Sequence, residues 1–136
     1  MAHRIWFDGP TLMVAISGTV DANDLLVIGD VLIEIEMGGT YTPHRLVDMR
    51  EIDNATIGYP EMAHLVSRSR ARPLHAKVRS ALLVAQPLQV GFARMFQILN
   101  DHPRVTVRIF EDEPSARAWL ENGDADPNRE ASRATS

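Results

Sequence analysis

Residues 78–87 read Val-Arg-Ser-Ala-Leu-Leu-Val-Ala-Gln-Pro. From Val78 to Ala85 the run is almost continuously apolar, the pattern of a strand buried on both faces. Pro87 lacks an amide hydrogen and holds a helical φ, so it suits the first turn of a helix. A strand of this kind followed at once by a helix is half of a βαβ unit. Downstream, Leu88, Gly91, Met95 and Ile98-Leu99 form the inward stripe of that helix. Arg104 to Phe110 reads as a fifth strand, and Pro114 opens a last helix with Ala116, Trp119 and Leu120 inward. Upstream, Tyr59 to Arg70 reads as a helix with Pro60 in its first turn and Met62, Leu65, Val66 and Ser69 facing one way. Arg45 to Met49 before it is a short strand.

Toward the N-terminus, Arg4 to Phe7 and Thr11 to Ser17 are two strands around the turn Asp8-Gly9-Pro10, predicting a hairpin. Asp21 is placed to cap a helix, with Asp24 at a position the helix dipole favours. Between them and Gly38-Gly39, Leu25 to Met37 supports two readings. Val31, Ile33, Ile35 and Met37 alternate like a strand, whereas Leu25, Ile28, Leu32 and Ile35 form a helical stripe. The acidic cap and the glycine stop favour the helix. The order is ββαβαβαβα, an α/β fold with about four helices. It implies a mixed, mostly parallel five-stranded sheet with the first strand as an antiparallel edge and helices covering both faces.

The 136 residues suffice for one domain, and 45% hydrophobic content gives it a core without covalent staples. Net charge is −4, so the totals favour neither nucleic acid nor an anionic membrane as partner. With no cysteine there are no disulfides, thiolate metal sites or cysteine nucleophile. The most apolar stretch, Leu25 to Met37, is interrupted by Gly29, Asp30, Glu34 and Glu36, so no membrane span is expected and the location reads as cytoplasmic. Residues 122–136 carry no large apolar side chain and read as a disordered polar tail after a domain of residues 1–121.

Four segments carry a family resemblance: Gly18-Thr19-Val20-Asp21, Leu46-Val47-Asp48-Met49-Arg50, Val90-Gly91-Phe92-Ala93-Arg94-Met95-Phe96 and Ala116-Arg117-Ala118-Trp119-Leu120. With the element order, they resemble the SpoIIAA-like (STAS/SEC14-like) family of small bacterial proteins, which has the STAS fold. The resemblance runs from about Ile5 to Leu120. It implies an adaptor or ligand-binding module rather than an enzyme. Bacterial anti-sigma-factor antagonists of this fold carry Asp-Ser-Ser/Thr-Gly at the start of a helix. Here the matching stretch is Asp53-Asn54-Ala55-Thr56-Ile57-Gly58, where Thr56 is the only hydroxyl and so the one candidate phospho-acceptor.

Candidate site residues lie where ligands bind in open α/β sheets, beyond the carboxyl ends of the strands. Thr56, Gln86 and the backbone N–H groups near Leu88 and Gln89 would line an anion site. Asp48, Arg50 and Arg94 form a charged set, read either as an ion pair between Asp48 and Arg94 or as an arginine fork for a ligand carboxylate or phosphate. Phe92, Met95 and Phe96 are read as core, or as a pocket for the tail of an anionic amphiphile. Arg68, Arg70, Arg72, Lys77 and Arg79 cluster around His75 in the one basic stretch, read as a solvated face.

The five histidines show no metal-ligand spacing, and there is no nucleophile elbow or phosphate loop. Neither a cofactor nor a metal is expected. The function expected is a non-enzymatic regulatory or interaction module with a protein partner. The alternatives are a binder of a small anionic or amphiphilic, lipid-like ligand at the strand ends and, last, an enzyme of unrecognised type. Self-association as a homodimer through an exposed sheet edge or helix face is a further expectation.

Overall fold

The computed structural model describes residues 2–38, 42–70, 74, 76–100 and 102–123. Along the chain run β1 (Ala2–Asp8), β2 (Thr11–Val20), α1 (Ala22–Gly38), β3 (Arg45–Ala55), α2 (Tyr59–Arg70), β4 (Val78–Leu83), α3 (Pro87–Leu99), β5 (Val105–Phe110) and α4 (Glu113–Asn122). This is the expected ββαβαβαβα order, with Leu25 to Met37 helical. The α1 start is held by a reciprocal cap: Asp24 N–H donates to Asp21 Oδ1 at 2.9 Å and Asp21 N–H to Asp24 Oδ2 at 3.0 Å.

The sheet order is β1-β2-β3-β4-β5. β1 is the antiparallel edge, joined to β2 through a turn where Gly9 takes φ 60°, and the other pairs are parallel. One row of partners crosses the whole sheet: Ile5 with Val14, Val14 with Val47, Val47 with Leu82, Leu82 with Ile109. All five belong to one apolar face.

Because each strand adds beside its predecessor in the same direction, right-handed crossovers send all three connecting helices to that face. There Ile28, Met62, Val66 and Ala93 meet Val14, Ile16, Met49, Leu82 and Val107. α4 follows the last strand and covers the other face, with Ala116, Trp119 and Leu120 on Met13, Leu46, Ala81 and Leu83. Each fully buried aliphatic side chain contributes about 1.5–3 kcal/mol to such layers. Trp119 also packs on Phe110, ring centroids 5.6 Å apart.

Two strands outrun their expected ends. β2 continues to Val20 and β3 to Ala55, because pairing resumes beyond an irregularity at Ala15/Ser17, with Gly18 opposite Ile52 and Val20 opposite Ala55. Buried Ile52 anchors that extension among the polar residues Arg50, Glu51, Asp53 and Asn54.

Among the described residues no helix is long and apolar enough to cross a membrane. Of the expected tail, Asn122 ends α4 and Gly123 caps it, its N–H bonded to the Trp119 carbonyl. Residues 124–136 lie outside the described residues.

Candidate functional site

β2, β3 and β4 form the floor of a cavity of about 140 Å³ roofed by α1, α2 and α3. Val14, Ile16, Val47, Met49, Ser80 and Leu82 pave the floor, and Leu25, Ile28, Leu32, Met62, Phe92 and Phe96 come from the roof. Two small residues leave the space unfilled. Gly29 on α1 has no side chain, and a Cβ built there meets nothing within 4 Å. Ser80 stands on β4 between the larger Val78 and Leu82, which face the same layer.

One wall of the cavity is polar. Arg45, at the start of β3, shares its strand face with Val47 and Met49 and so points under the helices. Its Nη1 lies 2.8 Å from Glu36 Oε1 on α1, and its Nε donates to Ser80 Oγ at 3.2 Å. Such a cation is tolerated in a core only with a counter-charge and further hydrogen bonds. At the outer edge, Asp30 on α1 and Arg68 on α2 also line the cavity and pair at 3.0 Å. Both are exposed, so the cavity reaches the surface between these helices.

The strand-end residues assemble differently from expectation. Asp48 pairs with Arg50, two residues along its own strand: Arg50 Nε to Oδ1 at 3.0 Å, Nη2 to Oδ2 at 2.9 Å, and Arg50 N–H to Oδ1 at 3.0 Å. Burial alone would raise the Asp48 pKa, but these hydrogen bonds and the Arg50 charge together carry it below the ordinary value.

Arg94 does not take part. Asp48 reaches, through Arg50, the Glu113 carboxylate on α4 at 3.6 Å, whereas Arg94 is exposed on α3 across the sheet. The expected Asp48–Arg94 ion pair is thus corrected: the two side chains belong to opposite layers. Arg50 instead enters a surface chain in which Glu113 also binds Arg117 at 3.0 Å and Arg117 binds Asp8 at 2.8 Å.

At the helix start expected to hold an anion, a side chain of the first turn binds the backbone just before the helix. Gln89, buried in the first turn of α3, accepts from Ala85 N–H at 2.8 Å and Gln86 N–H at 3.0 Å. Its Nε2 donates to the carbonyls of Arg50 and Ile52 at 2.8 and 3.0 Å. Gln86 itself is exposed.

Thr56 is exposed just before α2. Its N–H donates to the Val20 carbonyl at 2.8 Å, and its hydroxyl lies 3.5 Å from the same oxygen. Asp48 and Arg50 therefore stand together and Gln86 nearby, joined to Arg50 through Gln89. Thr56 sits at the end of the β2–β3 pair and Phe92 in the cavity, with Arg94 apart.

Of the basic stretch, Arg68 pairs with Asp30. Arg79 Nη1 donates to the Leu120 carbonyl at 2.9 Å and its N–H to His44 Nδ1 at 2.9 Å. Arg72 and His75, and the side chain of Arg70, lie outside what is described.

Sequence reasoning passed over Arg45, Glu36 and Gly29 as site residues. A signal for two of them was present. Arg45 lies at even spacing from Val47 and Met49 on an inward strand face, and Glu36 lies four residues from Leu32 of the helical stripe. An arginine and a glutamate on two core-facing stripes call for each other.

No family model matches the sequence, and no curated protein matches it. Among solved structures, the chain is similar to an uncharacterised protein of the DUF3478 family with a SpoIIAA-like fold, from Shewanella loihica PV-4. The identity is 20%, the match covers 88% of this chain and 92% of that one, and the TM-score is 0.58. The match spans most of both chains, so the chain has the SpoIIAA-like fold.

Proposed function

We propose that this protein is a non-enzymatic ligand-binding module that holds a small molecule between its sheet and its three-helix layer. The observation that carries this reading is the 140 Å³ cavity, lined almost wholly by aliphatic and aromatic side chains with one fixed polar wall. Well-packed domains contain few voids larger than a water molecule. An apolar cavity of ~150 Å³ is known to stay dry and to take up benzene. The space here is of that order, and Gly29 on α1 and Ser80 on β4 leave it unfilled. Phe92 lines it, in keeping with the role expected of the Phe92 helix. The location differs from the one expected: the cavity lies over the middle of the strands rather than beyond their carboxyl ends.

The test compares the wild-type protein with Gly29→Leu, whose new side chain would enter the cavity. Both are purified from the protein's own host, extracted with organic solvent, and the extracts examined by gas chromatography and mass spectrometry. A compound stoichiometric with the wild type and missing from Gly29→Leu supports the reading. Identical extracts refute it.

A protein-interaction role has one observation in its favour. The outer face of α1 carries apolar side chains beside Asp30 and Glu34, with Val27 46% and Met37 65% exposed, and Tyr59 at the head of α2 is exposed as well. A helix with apolar side chains on both faces normally has both covered. Concentration-dependent sedimentation of the wild type and of a Val27→Glu/Met37→Glu variant tests it. Association that the double variant abolishes would support a contact there, and a monomer at every concentration would remove it.

A further inference from the structure

Resting on the cavity reading above, the geometry points to a class of ligand: a small, neutral, apolar molecule and not an anion. The polar groups at both ends of the cavity are already balanced. Inside, the Arg45 guanidinium is matched by the Glu36 carboxylate at 2.8 Å, with side chains only 6% and 3% exposed, and its Nε is bound to Ser80. At the rim, Arg68 is matched by Asp30 at 3.0 Å. Among the described residues, the charged ones lining the cavity are Arg45, Arg68 and Asp30, and each of the two cations is ion-paired, Arg68 with Asp30 and Arg45 with Glu36, which stands behind the lining.

A ligand carboxylate or phosphate entering this space would lose its hydration. It would meet only cations that already hold a carboxylate, Arg45 with Glu36 and Arg68 with Asp30. Transferring an ionised group to such surroundings is strongly unfavourable unless a counter-charge is supplied. A neutral molecule meets no such penalty and gains from removing apolar surface from water. The anionic amphiphile expected from the sequence is thus replaced by an uncharged occupant. The volume of about 140 Å³ limits it to something near the size of a single substituted aromatic ring.

Nitrobenzene and benzoate have the same shape and atom count and differ in charge, so they separate the two cases. Backbone amide spectra of the 15N-labelled full chain would be recorded at neutral pH during titration with each. Saturable shifts at Val47, Ser80, Leu82 and Phe92 with nitrobenzene are expected, and benzoate should bind at least about tenfold more weakly. Benzoate binding as tightly as nitrobenzene would overturn the neutral-ligand inference and leave the cavity reading intact. Shifts at these amides with neither probe would overturn both.

A second variant reads charge selection directly. Glu36→Gln removes the carboxylate 2.8 Å from Arg45, so the ratio of benzoate to nitrobenzene affinity should rise about tenfold or more. An unchanged ratio in a variant whose spectrum shows the native fold would also overturn the inference. The wild-type comparison stands by itself should that variant not fold.

Discussion

Arg45 and Glu36 form a buried ion pair, 2.8 Å between Nη1 and Oε1, that ties the first residue of β3 to the last turn of α1. Removing one partner takes from the other a counter-charge at 2.8 Å in the core. Glu36→Ala and Arg45→Met should each cost about 3–5 kcal/mol, whereas a double Glu36→Leu/Arg45→Met variant should approach or exceed wild-type stability. Urea denaturation of the four proteins checks this. Additive losses in the double variant would show that the pair does not act as a unit.

Gln89 makes four hydrogen bonds from one buried amide, two with the backbone N–H groups of Ala85 and Gln86 and two that tie α3 to the Arg50 and Ile52 carbonyls of β3. Gln89→Leu is close in size and removes all four. It leaves two backbone donors and two carbonyls short of a partner at about 1–3 kcal/mol each, so a loss of at least about 3 kcal/mol is expected. Gln89→Glu keeps the accepting oxygens but loses the donors, and should be intermediate or worse. A denaturation midpoint unchanged in Gln89→Leu would show that water replaces the amide.

The correction at Asp48 changes its expected energetics. Its pair with Arg50 is half-exposed, side chains 25% and 39% accessible, and such pairs are worth about 1 kcal/mol or less. Asp48→Ala should therefore cost no more than that, and Arg94→Ala close to nothing. Because the Asp48 pKa is lowered in the fold, its contribution is present above the ordinary carboxylate range and fades as pH falls through the lowered value. The pH dependence of melting below pH 4 should be shallower in Asp48→Asn than in the wild type.

His44 carries a second pH dependence. Burial first, and then the Arg79 charge, hold its pKa below the ordinary value of 6.5. Its neutral Nδ1 accepts the Arg79 N–H at 2.9 Å, an acceptor that protonation would remove. With the folded pKa below the unfolded one, stability is complete above about pH 6.5 and declines as pH drops through the folded value. His44→Asn should flatten the melting temperature between about pH 5 and pH 7 relative to the wild type. Equal slopes would place the titration elsewhere.

The architecture was legible because its signals are local. Val78 to Ala85, the Asp21/Asp24 cap, and Pro60, Pro87 and Pro114 at helix starts each report an element from a few neighbouring residues. The candidate site was less so. Its floor comes from three strands and its roof from three helices, and the absence that opens it, at Gly29, looks in sequence like any interruption of an apolar helix. The Asp48–Arg94 pairing failed on layering: both lie near apolar segments, but consecutive strand residues face opposite ways, and one position decides which layer a side chain joins. Glu36, read only as an interruption of the apolar run from Leu25 to Met37, had its partner nine residues on, across a strand boundary.

The sequential strand order has a consequence for how the molecule is made. Each strand pairs with the one synthesised just before it, so no segment must wait for a distant partner, and every loop closure is short. A nascent chain can extend the sheet in register as it emerges, first the hairpin, then β3 beneath α1, then β4 beneath α2. The Arg45–Glu36 pair closes early, when β3 docks. The aromatic wall of Phe92 and Phe96 arrives only with α3. A compound present during synthesis would thus meet an open trough before it meets a chamber, and could be enclosed as the last helix of that layer folds down.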